Sequence, residues 1–296
     1  MGLVRLSGLI ALTAALVGLG VAPNRTAPAS AHAPVAAPLR HPVRFRIVGC
    51  QAPGGLYRSG PARREVAIGF DDGPARDTPA FLAMLERLHV NATFFTIGEQ
   101  ISGGDRETLL RELRAGDVLG DHTWTHPMLT SSPNVQWQLS STRRRIQSLI
   151  GYTPCLFRPP YGAVNRRVVD VAGSLGMATI MWNVDPVDWS VPGTSTIVSR
   201  VLSQVRPGSI ILSHDGGGFR GETLAAYPSI IAGLRARGYR IVTIPQLLGF
   251  RPIYRTCSGP ACDGIGIPGS MIPRNAIVRG GPNAGIARRT ARRRGG

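Results

Sequence analysis

Val66-Ala67-Ile68-Gly69-Phe70-Asp71-Asp72-Gly73-Pro74 sets the frame for the rest of this chain. An apolar run ends abruptly in two carboxylates, and a Gly-Pro pair then stops it from continuing as a strand. Neighbouring carboxylates are costly to ionise together unless a cation or a hydrogen-bond donor takes up the charge. A turn that holds both at the end of a buried strand suggests a metal ligand beside a proton-handling group. By itself Asp-Asp-Gly-Pro is also an ordinary polar turn, so its meaning depends on what lies further along.

Outward from this run, residues 64 to about 250 alternate short apolar runs with amphipathic segments, the pattern of β/α units around a mainly parallel sheet. The runs cover 66–70, 92–97, 118–119, 156–157, 178–184, 209–212 and 240–244. Helices are predicted near 78–88, 106–115, 133–150, 166–175, 196–205 and 224–237. The third is the clearest. Ser132 can cap it, Pro133 suits its first turn, Val135, Leu139, Ile146 and Ile150 make an apolar stripe, and Gly151 ends it.

The polar residues keep phase with the apolar runs. Asp71 and Asp72 follow the first, His122 and His126 the third, Arg158 and Tyr161 the fourth, Asp185, Asp188 and Trp189 the fifth, and His214 the sixth. Reactive side chains gathered behind strand C-termini are what a β/α barrel requires. In His122-Thr123-Trp124-Thr125-His126 the two imidazoles share a face if the segment is helical, and with Asp72 they complete a two-histidine, one-carboxylate set. Such a set leaves metal positions open for water and substrate, which suggests hydrolysis. The attacking water needs a base, and Asp71 is placed to be one. An amide nitrogen needs an acid on departure, and His214 is the candidate. Asp188 can hold His214 in the useful tautomer, and Arg158 can hold Asp71 through its donor fork.

These residues resemble the five ordered motifs of the polysaccharide deacetylases of the NodB-homology type, carbohydrate esterase family four. The motifs are Phe70-Asp71-Asp72-Gly73-Pro74, His122-Thr123-Trp124-Thr125-His126, Arg158-Pro159-Pro160-Tyr161, Asp185-Pro186-Val187-Asp188-Trp189 and Leu212-Ser213-His214. Gly69, where Thr is common, and Asp121, where Asn is frequent, depart from the pattern without replacing a catalytic group. The resemblance implies a distorted (β/α) barrel holding one divalent metal, usually zinc, on Asp72, His122 and His126. It implies Asp71 as base, His214 as acid, Arg158 orienting Asp71 and Asp188 tuning His214. The Tyr161 N–H would help stabilise the oxyanion, and Trp189 with Leu212 would line the acetyl pocket. Asp185 receives no firm role. The implied reaction is N-deacetylation of an amino-sugar polymer such as peptidoglycan or chitin. An O-acetyl esterase acting on xylan and a catalytically silent carbohydrate-binding protein are the competing readings.

The flanks differ from this middle. Residues 1–31 read as a signal peptide or anchor, with Arg5, an apolar stretch and the small residues 29–31. An exported protein, secreted or held at the wall or membrane, is expected. Residues 32–63 read as a Pro/Ala/Arg-rich linker, and 251–296 as an Arg/Gly-rich, basic tail. The formal charge is +17, yet residues outside 64–250 hold 16 arginines and one acid, Asp263, leaving 18 arginines against 16 acids in the middle. That distribution argues against nucleic acid as the main partner. Loose contact of the tail, 288–294, with anionic wall polymers is the sharper reading of its charge. No obligate protein partner is indicated. The four cysteines permit disulfides in an exported chain. Cys257 and Cys262 can close a small loop, while Cys50 and Cys155 can pair only if the fold brings them together.

Overall fold

The computed structural model describes residues 43–262 and 265–280. The leader, the linker up to residue 42 and the basic run 288–294 lie outside the described residues. In chain order the strands and helices begin with β1 Arg44–Gln51, β2 Leu56–Tyr57, β3 Glu65–Gly73, α1 Thr78–Leu88 and β4 Thr93–Thr96. They continue through α2 Arg106–Ala115, β5 Val118–Asp121, α3 Val135–Ile150, β6 Leu156–Phe157, α4 Arg166–Ser174 and β7 Ala178–Ile180. Then come α5 Thr194–Gln204, β8 Ile210–His214, α6 Gly221–Ala236, β9 Arg240–Val242 and α7 Ile244–Leu248. The last strands are β10 Arg251–Cys257, β11 Ile267–Pro268 and β12 Ile277–Arg279.

β3 is central because residues 66–73 are buried on both faces, as a helix-covered parallel strand must be. The main sheet runs β2-β7-β6-β5-β4-β3-β8, with β9 also on β3, and its strand pairs are parallel. The sheet curls back on itself: Val184, beyond β7, bridges Ile211 of β8, and the Leu212 N–H donates to the Val184 carbonyl at 2.9 Å. One bridge in place of a full ladder makes the barrel distorted. The helices cover it through apolar stripes. Phe70 packs against Phe81 of α1, Phe94 of β4 and Tyr227 of α6, with ring centroids 4.8–5.4 Å apart. On α3 the expected stripe of Val135, Leu139, Ile146 and Ile150 is buried, although the helix starts two residues later than expected, after Asn134. Among the described residues no helix is long and apolar enough to cross a membrane.

Two flanking expectations need correction. Part of the linker is structured: β1 pairs antiparallel with β10, Arg44 opposite Cys257 through Gln51 opposite Arg251, and β2 joins the barrel beside β7. The physical reason is the period-two alternation Arg44-Phe45-Arg46-Ile47, which needs a partner strand that lies some 200 residues away. The tail likewise contributes β10, β11 and β12 to a four-stranded sheet ordered β11-β1-β10-β12. Two disulfides fasten this sheet, Cys50–Cys155 to the approach to β6 and Cys257–Cys262 within its own loop.

Candidate active site

Register brings the first and last motifs together, since Asp71 of β3 lies beside His214 of β8. A bulge between Asp71 and Gly73 in the pairing with β4 turns Asp72 into the left-handed region, φ 72°. The bulge breaks the strand's alternation of faces, so both adjacent carboxylates reach His122 Nε2, Asp71 Oδ2 at 3.7 Å and Asp72 Oδ1 at 3.4 Å. Asp72 Oδ1 faces His122 Nε2 at 3.4 Å and His126 Nε2 at 3.2 Å, and one ligand atom from each residue falls within 4.8 Å of the others.

His122 and His126 do not meet on a helix. After β5 the chain forms a loop with Thr123 and His126 at φ 71° and 56°. Three buried side chains hold it. Asp121 accepts from the Thr123 N–H, Thr123 Oγ1 accepts from the His126 N–H, and Gln138 Oε1 of α3 accepts from the N–H groups of Trp124 and Thr125, all at 2.8–3.0 Å. A spacing of four residues matched the helical repeat, but these bonds satisfy the backbone differently.

The tautomer of His122 follows from its surroundings. Its Nδ1 lies 2.7 Å from the Arg158 carbonyl, which can only accept, so Nδ1 carries the hydrogen and Nε2 faces Asp72. Asp72 Oδ1 is buried without a hydrogen-bond partner. Burial works to raise the Asp72 pKa, but the imidazoles of His122 and His126 overcome it and hold the carboxyl well below its usual range. Burial lowers His122, and Asp71 and Asp72 more than reverse that. A buried carboxylate oxygen facing two imidazole nitrogens invites either protons or a metal ion at that point. The residues fit a divalent ion.

Arg158 is fully buried, and its Nη1 donates to Asp71 Oδ1 at 2.8 Å. Its guanidinium lies over the Phe95 ring, 4.1 Å from the centroid. A Cβ on Gly69 would sit 2.6 Å from both terminal guanidinium nitrogens, so glycine at this departure from the family pattern makes room for that seat. On the other side, Asp188 accepts from His214 twice, at Nδ1 over 2.8 Å and at the backbone N–H over 3.0 Å, and also from the Thr223 hydroxyl. Burial pulls the His214 pKa down, but Asp188 outweighs it and the net shift is upward.

The remaining expected residues take distinct places. Tyr161 adopts φ 58° on an exposed turn, and its hydroxyl lies 3.1 Å from His126 Nδ1. Trp189 is 56% exposed, whereas Leu212 is buried on β8. Asp185 stabilises its own turn, accepting from Trp182 Nε1 and the Val187 N–H. Gly216 and Gly217, just after His214, pack directly on Asp72. A Cβ on Gly217 would come within 2.3 Å of Asp72 Oδ2. Two residues outside the expected set contribute, Gln138 and Asp215. Gln138 gives no motif signal. Asp215 follows His214 directly; it is buried, accepts from Thr78, donates its N–H to the Asp71 carbonyl at 3.1 Å, and burial pushes its pKa up to about 7.

Comparison with known proteins agrees with this geometry. The polysaccharide deacetylase family matches residues 58–180. A chitooligosaccharide deacetylase of Sinorhizobium fredii is 39% identical over 204 residues, covering 64% of this chain and 94% of that one. The peptidoglycan-N-acetylglucosamine deacetylase PgdA of Listeria monocytogenes is 36% identical over 189 residues, 63% of this chain; the match spans only 39% of that longer protein. Among solved structures, the Bc1960 peptidoglycan N-acetylglucosamine deacetylase superposes with a TM-score of 0.63 at 34% identity, covering 66% of this chain and 92% of that one. The chain belongs to the polysaccharide deacetylase family, which is metal-dependent.

Proposed function

We propose that the protein is a metal-dependent hydrolase that removes N-acetyl groups from amino-sugar polymers, with peptidoglycan N-acetylglucosamine and chitin-like oligosaccharides as its substrate class. The observation that carries this reading is the meeting of three units at one end of the barrel: the Asp72, His122, His126 set, the Arg158–Asp71 pair and the Asp188–His214 pair. The substrates named for the Sinorhizobium, Listeria and Bc1960 relatives support it.

Asp72, His122 and His126 would hold the ion, and zinc suits two imidazoles and one carboxylate with open positions. When bound, it supplies Lewis acidity toward the acetyl carbonyl. Asp71, fixed by Arg158, takes a proton from the attacking water. His214, fixed by Asp188, gives a proton to the amine as the carbon–nitrogen bond breaks, and acetate and the free amino sugar result. The Tyr161 N–H donates to the developing oxyanion, and Trp189 and Leu212 flank the acetyl methyl. The leader pattern and the two disulfides support work outside the cytoplasm. Contact of the basic tail with anionic wall polymers is a further part of this reading, supported by its arginines alone.

The test is acetate release from N-acetylglucosamine oligomers, peptidoglycan and acetylated xylan, with zinc and with chelator. Release from the first two should vanish with chelator, and Asp71→Asn should lower kcat by about 10²–10⁴-fold while metal content stays unchanged. Folded, zinc-loaded protein that releases acetate only from xylan, or from none, overturns the N-deacetylase.

A further inference from the structure

A second polar cleft, of about 350 Å³, opens at the other end of the barrel. Thr153 and Gly176, which line it, precede β6 and β7, whereas the candidate catalytic residues follow the strands' C-terminal ends. Arg143 and Gln147 of α3 form one wall, and Arg255 of β10 with Arg279 of β12 form another. Strand register makes the arginines a row: Arg46 lies opposite Arg255, and Arg255 opposite Arg279, so three side chains share one face of three adjacent strands. The Arg46 guanidinium bonds the Ile150 carbonyl and lies against Gly151, itself part of the cleft.

Like charges directly opposite on neighbouring strands destabilise a sheet. None of the described residues lining the cleft is acidic to offset them. The Asp121 carboxyl interacts with Arg143 from inside the barrel and is not part of the lining. Arg143 Nε is buried with no hydrogen-bond partner, an unmet donor at the edge of a polar space. Arg255 and Arg279 are exposed at the mouth of the cleft, where water reaches them, whereas the buried Arg143 Nε has no partner. The cleft thus gathers three guanidinium groups, one of them with an unmet donor, around a space that none of its described lining residues neutralises.

We propose that this cleft binds phosphate oxyanions, carried either on a small molecule or along a phosphodiester polymer. Guanidinium forks match the paired oxygens of phosphate, and three arginines lining one space suit a group with more than one negative charge and several oxygens better than a single carboxylate. A cleft of this volume also has room for a sugar or polyol attached to the phosphate. The assignment does not depend on the deacetylase reading.

The test uses the full chain, titrated calorimetrically with inorganic phosphate and with poly(glycerol phosphate) at about 0.1 M salt. Saturable binding of either probe is expected, and the tighter of the two identifies the source. Arg255→Gln with Arg279→Gln should weaken binding about tenfold or more. Replacing Arg288, Arg289, Arg292, Arg293 and Arg294 by Gln should leave it unchanged. Without phosphate the double variant should melt no lower than the parent, because the like-charge row is relieved, and the rise in Tm that phosphate gives the parent should be absent. If that variant does not fold, Arg143→Gln supplies the same comparison. Absence of saturable binding, unchanged affinity in the cleft variants, or loss only in the tail variant overturns the proposal.

Discussion

Burial pulls the His214 pKa down, and the paired contact with Asp188, joined by the charges of Asp71 and Asp72, reverses the balance. The folded pKa therefore lies above the usual histidine value of about 6.5. The stabilisation from the charged pair is fully present below that unfolded value and is lost as pH rises through the folded one. If His214 is the acid, kcat/KM for acetate release should fall on the alkaline side at a pH above the ordinary histidine range. Asp188→Asn leaves the burial and removes the charge, so the fall should begin at lower pH. A pH profile with an unmoved alkaline limb would rule out His214 as the acid held by Asp188. At this scale the sequence was informative, because Asp71, Asp72, His214 and Asp188 each sit in a short motif. Asp215 was not legible: nothing beside His214 says that its carboxyl is buried against Thr78.

The loop after β5 shows why the sequence could name the two histidines and still misplace their backbone. Their separation suits a helix, yet the loop takes its shape from α3, through a glutamine that no motif contains. Gln138 also donates to Thr125 Oγ1 at 2.7 Å, which makes three bonds from one side chain to the segment between His122 and His126. Gln138→Ala should leave the far-ultraviolet circular dichroism intact, since α3 keeps its apolar stripe. Zinc should bind about 10–100-fold more weakly, as happens when the support of a ligand is removed. Competition with a chromophoric chelator measures this, and unchanged affinity would show that the loop holds its shape without Gln138. The apolar runs, by contrast, were legible as strands, because burial on both faces leaves a continuous apolar signal in the residues themselves.

Across the whole molecule, the barrel was legible and the second sheet was not. The barrel's elements are local units in sequence, whereas β1 has meaning only beside β10, and its arginines disguise an alternating strand as linker composition. The Cys50–Cys155 disulfide spans 105 residues and ties that sheet to the barrel. Replacing both cysteines by Ser should cost about 2–5 kcal/mol in urea unfolding, and opening the much shorter Cys257–Cys262 loop should cost less. Equal losses would show that loop length does not set the effect. The pairing of Arg44 with Cys257 also bears on the order in which the chain assembles. During synthesis β1 emerges long before its partner, so its edge stays open until nearly all of the barrel has been made. Contacts this distant in sequence are slow to form, and a strand left waiting can pair wrongly with another chain. The barrel and its small companion sheet should therefore mature as two events, with the joining of the first strand to the tenth closing the sequence.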